Sequence, residues 1–162
     1  MMAPLDTAIE DRGASVTAIV DQLVASRPSG AAQTSELSEP AEPNWVQSVT
    51  GELARLALLR EGWDGYGAGP VRRDVLSFAA HLLARIMQND TPTPNLTPMA
   101  HEGVLIEWRE HGVELEIEIE APAQVWVRYS VDGHEEEWPV RSDFHSLTSP
   151  IAELTKRAAA RR

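Results

Sequence analysis

The sequence predicts an α+β fold: a two-layer sandwich in which two main helices pack on one face of a four-stranded antiparallel meander. Two stretches with helical periodicity precede a region in which apolar and polar residues alternate. Each helix and the sheet would carry one apolar face, and stacking the two layers buries these faces against each other. This single domain is predicted to cover residues 44–162.

Composition and charge restrict the classes of function. The chain has 162 residues, no cysteine, and 25 acidic against 14 basic side chains, which gives a formal net charge of −11. Such an acidic surface repels nucleic acid and anionic membranes, and the missing thiols exclude disulfides and thiolate catalysis. The amino terminus lacks a signal-peptide pattern, and no apolar run approaches the roughly 20 residues of a membrane span. We therefore expect a cytoplasmic protein that binds neither nucleic acid nor membranes directly and uses no cofactor.

The first 43 residues are predicted to stand apart from the domain. Residues 1–26 form an amino-terminal segment in which residues 5–26 carry a loose helical pattern, typical of a short docking helix. Residues 27–43 are rich in proline, serine and glutamate and hold almost nothing that could be buried. Such a stretch cannot offset the entropy of ordering it, so a flexible linker is expected.

Two helices should flank a glycine-rich turn. The first is expected to begin after Asn44, which can cap it through an Asn-x-x-Gln capping box, and to end near Arg60. Gly62 then stands where a left-handed carboxyl-terminal cap is wanted. The second helix should start at Pro70, whose ring fixes φ for helix entry, and run to about Met87.

The strands come next. Three prolines between residues 91 and 98 favour an extended connector over a strand of a central sheet. From Gly103 onward the period changes to two. Short turns at 111–112 and 132–133, together with the break at Ala121-Pro122-Ala123, divide this region into four strands. After them, Ser149 should cap a short final helix.

A specific register follows from the turn at His111-Gly112. It sets Trp108 opposite Leu115 and pairs Arg109 with Glu114, two residues of opposite charge. A turn moved back by one residue would oppose two glutamates, which is less favourable. The first register is therefore predicted.

One face of this sheet should be strongly acidic. Glutamates alternate along three strands and share their face with an aromatic residue. A solvated sheet face is the more usual explanation of the charges alone, but an exposed tryptophan is typical of an interface anchor and favours a binding surface. The candidate partner-binding residues are Glu107, Glu114, Glu116, Glu118, Trp126, Arg128 and Glu137. Glu120, Glu135 and Arg109 should lie on the same face.

The glycine-rich turn, residues 62–70, offers an alternative site for a small ligand or phosphate. Backbone N–H groups that the glycines leave exposed, together with the amino terminus of the following helix, could bind an anion. The candidate residues are Asp64, Tyr66, Arg72 and Arg73. The spacing, however, matches no phosphate-loop motif. A structural corner is the simpler interpretation, with Trp63 and Tyr66 plugging the gap and Asp64 capping backbone N–H groups.

Catalytic and metal motifs are missing from the sequence. The five histidines show no H-x-x-x-H or H-E-x-x-H spacing, and no G-x-S-x-G elbow presents a nucleophile. Individual acid–base pairs cannot be picked out among so many glutamates. The sequence thus leaves enzymatic activity uncertain, favours a non-enzymatic role, and predicts no metal site.

A longer pattern surrounds the glycine-rich turn. Residues 59–70 read Leu-Arg-Glu-Gly-Trp-Asp-Gly-Tyr-Gly-Ala-Gly-Pro, and residues 103–108 read Gly-Val-Leu-Ile-Glu-Trp. This pattern resembles a group of small uncharacterised bacterial proteins that carry W-[DN]-x-Y-x-A-x-P and, further on, a glycine before a strand ending in Glu-Trp. The resemblance covers about residues 50–120 and implies no functional residues. It favours antitoxin, immunity or phage-defence roles by analogy.

Three functional hypotheses follow. The leading one is a non-enzymatic, acidic protein-binding module, such as an antitoxin or immunity protein, that engages a partner with a basic surface. The alternatives are a small-ligand or phosphate-binding domain built on the glycine-rich turn, and a structural subunit that docks through residues 5–26.

Overall fold

The computed structural model describes residues 43–140 and 143–161 together with Ala18. Within the two ranges, three α-helices and five strands make up the fold. In chain order the elements are α1 (Asn44–Ala57), α2 (Arg73–Ile86), β1 (Asn95–Pro98), β2 (Val104–Glu110), β3 (Val113–Ala121), β4 (Gln124–Val131), β5 (His134–Val140) and α3 (Thr148–Ala159). The predicted segment 1–26 and linker 27–43 lie outside the described residues, apart from Ala18 and Pro43. The α+β class is confirmed, with one strand more than predicted.

The strands form one antiparallel sheet in the order β1-β2-β3-β4-β5. The predicted register between β2 and β3 is confirmed, since Trp108 lies opposite Leu115. Both predicted two-residue turns carry the positive φ angles of a type I′ turn, 56° and 73° at His111-Gly112 and 51° and 84° at Asp132-Gly133. Because these turns fix the register, they also fix which side chains share a face.

β1 corrects the prediction that residues 91–98 form only an extended connector. It pairs antiparallel with β2, and Leu96 is buried opposite Ile106. An edge strand tolerates proline because half of its N–H groups point away from the sheet and need no partner. The three prolines argued against a central strand, and β1 is an edge strand.

The two main helices are shorter than predicted beside the glycine-rich turn. α1 ends at Ala57 rather than near Arg60, and α2 begins at Arg73 rather than at Pro70. The two amides after α1 bond to carbonyls three residues back, which tightens the last turn and ends the helix. The loop between the helices is therefore longer than expected.

Neither predicted amino-terminal cap forms a side-chain hydrogen bond. Pro43 holds the cap position of α1, so Asn44 is already helical. α3 begins at Thr148, directly after a 3-10 turn, so Ser149 lies within the helix. Backbone geometry, rather than a polar side chain, sets both helix starts.

The core lies between the helices and the inner face of the sheet, which is the face that packs against them. α1 contacts β1, α2 contacts β2 and β3, and α3 adds apolar residues to the same cluster. Two indole N–H groups anchor the connection between α2 and β1: Trp45 donates to the Gln88 carbonyl at 2.8 Å and Trp108 to the Pro92 carbonyl at 2.7 Å. Without these bonds, the indole N–H groups would be buried with no hydrogen-bond acceptor.

The helix layer thins toward β5. Val127 on β4 is buried, but Tyr129 and its neighbour Trp138 on the inner face are only partly buried. Their rings meet edge to face, with centroids 6.5 Å apart. Glu136, which lies opposite Tyr129, is exposed. Around Glu136, both faces of β5 are therefore accessible to solvent, whereas Val140 at its end is buried.

Candidate functional site

The outer face of the sheet, which points away from the helices, collects the acidic side chains. Glu107, Glu116, Arg128 and Glu137 lie directly opposite one another on four successive strands and form a row across the sheet. A second row contains Glu118 and Trp126, and a third contains Arg109, Glu114 and Glu135. Seven glutamates, counting Glu120, and two arginines give this face a formal charge of −5.

Two arginines hold the centre of the outer face together. Arg109 Nη2 lies 2.7 Å from Glu116 Oε1 and 3.0 Å from Glu107 Oε1. Arg128 binds the other oxygen of Glu116 at 3.2 Å through Nη1 and Glu137 at 2.6 Å through Nε. The side chains of Glu116 and Glu107 are only 13% and 15% exposed. The arginines thus offset the like-charge repulsion between glutamates on neighbouring strands.

The protonation of these arginines reflects their partners. The hydrogen bond to Glu116, with the nearby charge of Glu107, raises the pKa of Arg109 above its ordinary value. The hydrogen bond to Glu137, together with the charges of Glu137 and Glu116, raises the pKa of Arg128 likewise. Both guanidinium groups therefore stay positively charged.

Trp126 stands out on this face. Its side chain is 52% exposed although it lies within the sheet, directly opposite Glu118 and Pro139. Glu118 forms no ion pair within the described residues. A shallow cleft of about 130 Å³ lies beside the indole, lined by Glu116, Glu118, Trp126, Val127, Arg128 and Glu137.

The structure brings all seven candidate partner-binding residues to the outer face. It also adds two residues that the sequence reasoning missed, because β1 was not predicted. Asn95 and Thr97 extend the rows at the β1 edge, and the Asn95 side-chain amide lies 3.4 Å from a Glu107 oxygen. Alternation about Leu96 would have identified both residues if the edge strand had been recognised.

The glycine-rich turn closes on itself. Asp64 Oδ1 accepts the N–H groups of Tyr66 at 2.8 Å and Ala68 at 3.0 Å, and these bonds lower the pKa of Asp64. The Trp63 indole N–H donates to the Gly69 carbonyl at 3.0 Å. Two backbone amides that could bind an anion are thus already occupied, as expected for a structural corner.

Tyr66 corrects part of that interpretation. It was expected to plug the gap beside the helices, yet it is 95% exposed, while Trp63 is half-buried. The positive φ angles of Gly65 and Gly67, 80° and 94°, turn the chain outward on both sides of Tyr66. Trp63 alone serves as the aromatic plug.

The two arginines of the alternative ligand site lie at the start of α2. Arg72 forms a bidentate ion pair with Asp74, which lowers the pKa of that carboxyl group. The Arg72 amide donates to the Glu102 carbonyl at 3.0 Å, so the turn is also anchored to the β1–β2 connection. Arg73, the first residue of α2, is exposed.

Comparisons with known proteins supply no function. No protein family, no curated protein and no solved structure matches this chain. Among the described residues, no three His, Asp or Glu side chains are grouped to hold a metal ion, and no helix could cross a membrane. The chemistry of the outer face therefore carries the functional argument.

Proposed function

We propose that the protein is a non-enzymatic binding module that engages a basic protein partner through the outer face of its sheet. The observation that carries this proposal is the half-exposed Trp126, which lies among carboxylates beside a shallow cleft. Neutralisation of a toxin or nuclease, as in an antitoxin or immunity protein, is one such role. The resemblance described above favours this class by analogy.

Electrostatics supports a basic partner. The outer face has a formal charge of −5, within a chain whose formal net charge is −11. A field of one sign speeds the encounter with an oppositely charged surface and repels acidic competitors. The side chains of Glu135 and Glu137 are 63% and 53% exposed, so a partner's basic groups can reach them.

Trp126 supports a specific contact rather than attraction by charge alone. Tryptophan is enriched among the few interface residues that contribute most of the binding energy. Its indole face also attracts a lysine or arginine of the partner through a cation–π interaction. Glu118, directly opposite, supplies a carboxylate for the same basic side chain.

The alternative, a small-ligand or phosphate site at the glycine-rich turn, has weaker support. The exposed Tyr66 favours it, but Asp64 and Arg72 are already engaged within the turn and with Asp74. A docking role for residues 5–26 falls outside the described residues, apart from Ala18.

The test is partner capture by the full chain from a lysate of the native host, with identification by mass spectrometry. Trp126→Ala and Glu118→Lys should each lower capture of a basic protein by at least about tenfold, since removing an interface anchor costs about 2 kcal/mol or more. Glu116→Lys is a poorer choice because it places a third cation between Arg109 and Arg128.

Glu61→Lys is the matched control, because it reverses one exposed charge in the loop between the helices. It should leave capture almost unchanged. Equal capture by the wild type, Trp126→Ala and Glu118→Lys would show that the outer face is not the binding surface.

A further inference from the structure

β5 ends the sheet with an open edge. Within the described residues its seven residues pair with β4 on one side, and no strand pairs on the other. The opposite edge strand, β1, has four residues and ends in Pro98. β5 is therefore the longer edge that another strand could extend.

The hairpin geometry shows which backbone groups of β5 are available. Val131 and His134 flank a two-residue turn and form its closing hydrogen-bonded pair. Hydrogen-bonded and non-hydrogen-bonded pairs then alternate along the two strands. Glu135 and Glu137 belong to non-hydrogen-bonded pairs, so their N–H and C=O groups point away from β4. Pro139 is the next residue of β5 whose backbone nitrogen points away from β4, so its missing N–H group costs no hydrogen bond to β4.

The charges beside this edge select what can pair with it. Glu135 and Glu137 project to the outer face, and Glu136 projects to the thinly covered inner face beside Trp138. The central row of the outer face runs Glu116, Arg128, Glu137 toward the edge, so its signs alternate over these three strands. A positive side chain at the next position would continue that alternation.

We propose that β5 accepts an extended basic segment of the protein partner as a sixth strand of the sheet. Backbone hydrogen bonds to Glu135 and Glu137 supply affinity, and basic side chains at alternate positions lie against the acidic outer face. Intervening apolar side chains lie on the inner side, next to Trp138. This inference rests on the proposed function and specifies how the partner binds.

The two other candidate occupants are disfavoured by charge. A second copy of the chain paired edge to edge would bring its own three consecutive glutamates against Glu135, Glu136 and Glu137, and like charges on neighbouring strands are destabilising. The chain's own residues 1–42 contain seven Asp and Glu against two Arg, so they too would be repelled.

The test uses a synthetic peptide as long as β5, seven residues of alternating arginine and valine, added to the ¹⁵N-labelled full chain. NMR follows the Trp126 indole signal and hydrogen exchange at individual amides. At saturating peptide, exchange of the Glu135 and Glu137 amides should slow by at least about tenfold, because these N–H groups gain partners. The Glu136 amide, already bonded to β4, should change little.

The control is the same peptide with N-methylated backbone nitrogens, which keeps the charges but cannot pair as a strand, because it loses its N–H donors and its methyl groups hold the two backbones apart. It should shift the Trp126 signal without slowing exchange at Glu135 and Glu137. If the unmethylated peptide also shifts Trp126 without protecting these amides, the strand proposal is wrong and the outer-face proposal stands. If the unmethylated peptide changes neither the Trp126 signal nor the exchange of these amides, an extended basic segment binds neither the β5 edge nor the outer face, and both proposals are wrong for such a segment.

A second copy at this edge would give a different result. The amides of Glu135 and Glu137 would become protected without peptide as protein concentration rises. That outcome would overturn the assignment of the edge to a basic partner.

Discussion

The glycine-rich turn and the outer face of the sheet contrast in how they satisfy their polar groups. In the turn, Asp64 accepts two backbone N–H groups and the Trp63 indole donates to Gly69, so the loop stabilises itself. On the outer face, two arginines neutralise only part of the charge, and Trp126 remains half-exposed. An unusual stretch of sequence can therefore serve only to hold a backbone conformation. A surface whose charges and aromatic side chain remain without internal partners is the better candidate for binding another protein.

The contrast predicts that substitutions around the turn reduce stability and leave partner capture by the folded protein unchanged. The largest effect is expected at Gly103, in the connection that anchors the turn. A Cβ atom there would lie 2.6 Å from the Ile119 carbonyl oxygen, a backbone atom that cannot move aside cheaply. Gly103→Ala should lower the free energy of unfolding by about 1–3 kcal/mol, measured by urea denaturation.

Gly51→Ala is the matched control for that measurement. Gly51 lies on α1, and a Cβ atom there meets nothing within 4 Å. The variant should be more stable than the wild type by up to about 1 kcal/mol, because alanine favours the helix. Equal effects of the two substitutions would contradict the close contact at Gly103.

A smaller effect is expected at Gly65 in the turn itself. Its φ of +80° is left-handed, and the space around its Cα is open, so the cost of a side chain is conformational rather than steric. Gly65→Val should lower the free energy of unfolding by about 1–2 kcal/mol. Gly65→Asn, whose side chain tolerates this conformation, should cost less. A larger cost for asparagine than for valine would argue against this explanation.

The smallest effect concerns the pH dependence of the turn. Hydrogen bonds from Ala68 and Tyr66 hold the pKa of Asp64 below 3.8 in the folded protein. The unfolded chain binds this proton more readily, so the contribution of Asp64 is complete above pH 3.8 and is lost as the pH falls through the lower, folded pKa.

Asp64→Asn removes this titration while leaving an oxygen that can accept hydrogen bonds. The stability difference between wild type and Asp64→Asn, followed by denaturation from neutral to acidic pH, should therefore shrink below pH 3.8. A difference that grows on acidification would show that the carboxylate does not stabilise the turn.

The sequence was most informative where local chemistry and long-range pairing agree. Alternation over β2 and β3, with a two-residue turn between them, predicted the register of Trp108 and Leu115 correctly. The same alternation placed Trp126 and its glutamates on one face. Period-two patterns identify faces well because a slip by one residue would reverse every side chain.

Other features depend on surroundings that a local pattern does not encode. β1 was missed because its one proline, Pro98, and the two prolines just before it argue against a central strand, whereas the position of a strand in a sheet is a property of the whole fold. Tyr66 was expected to be buried because it is aromatic, but the glycines on both sides direct it into solvent. Glu107 and Glu116 resemble their exposed neighbours in sequence, yet the two arginines and the sheet cover them.

The central claim is that the outer face binds a partner while the glycine-rich turn maintains the fold. The most direct measurement compares Trp126→Ala with Trp63→Ala, using both affinity for the captured basic partner and free energy of unfolding. Trp126→Ala should weaken binding by at least about tenfold and change stability by less than about 1 kcal/mol. Trp63→Ala should lower stability and leave the affinity of the folded protein unchanged. Unaltered affinity in Trp126→Ala would contradict the account.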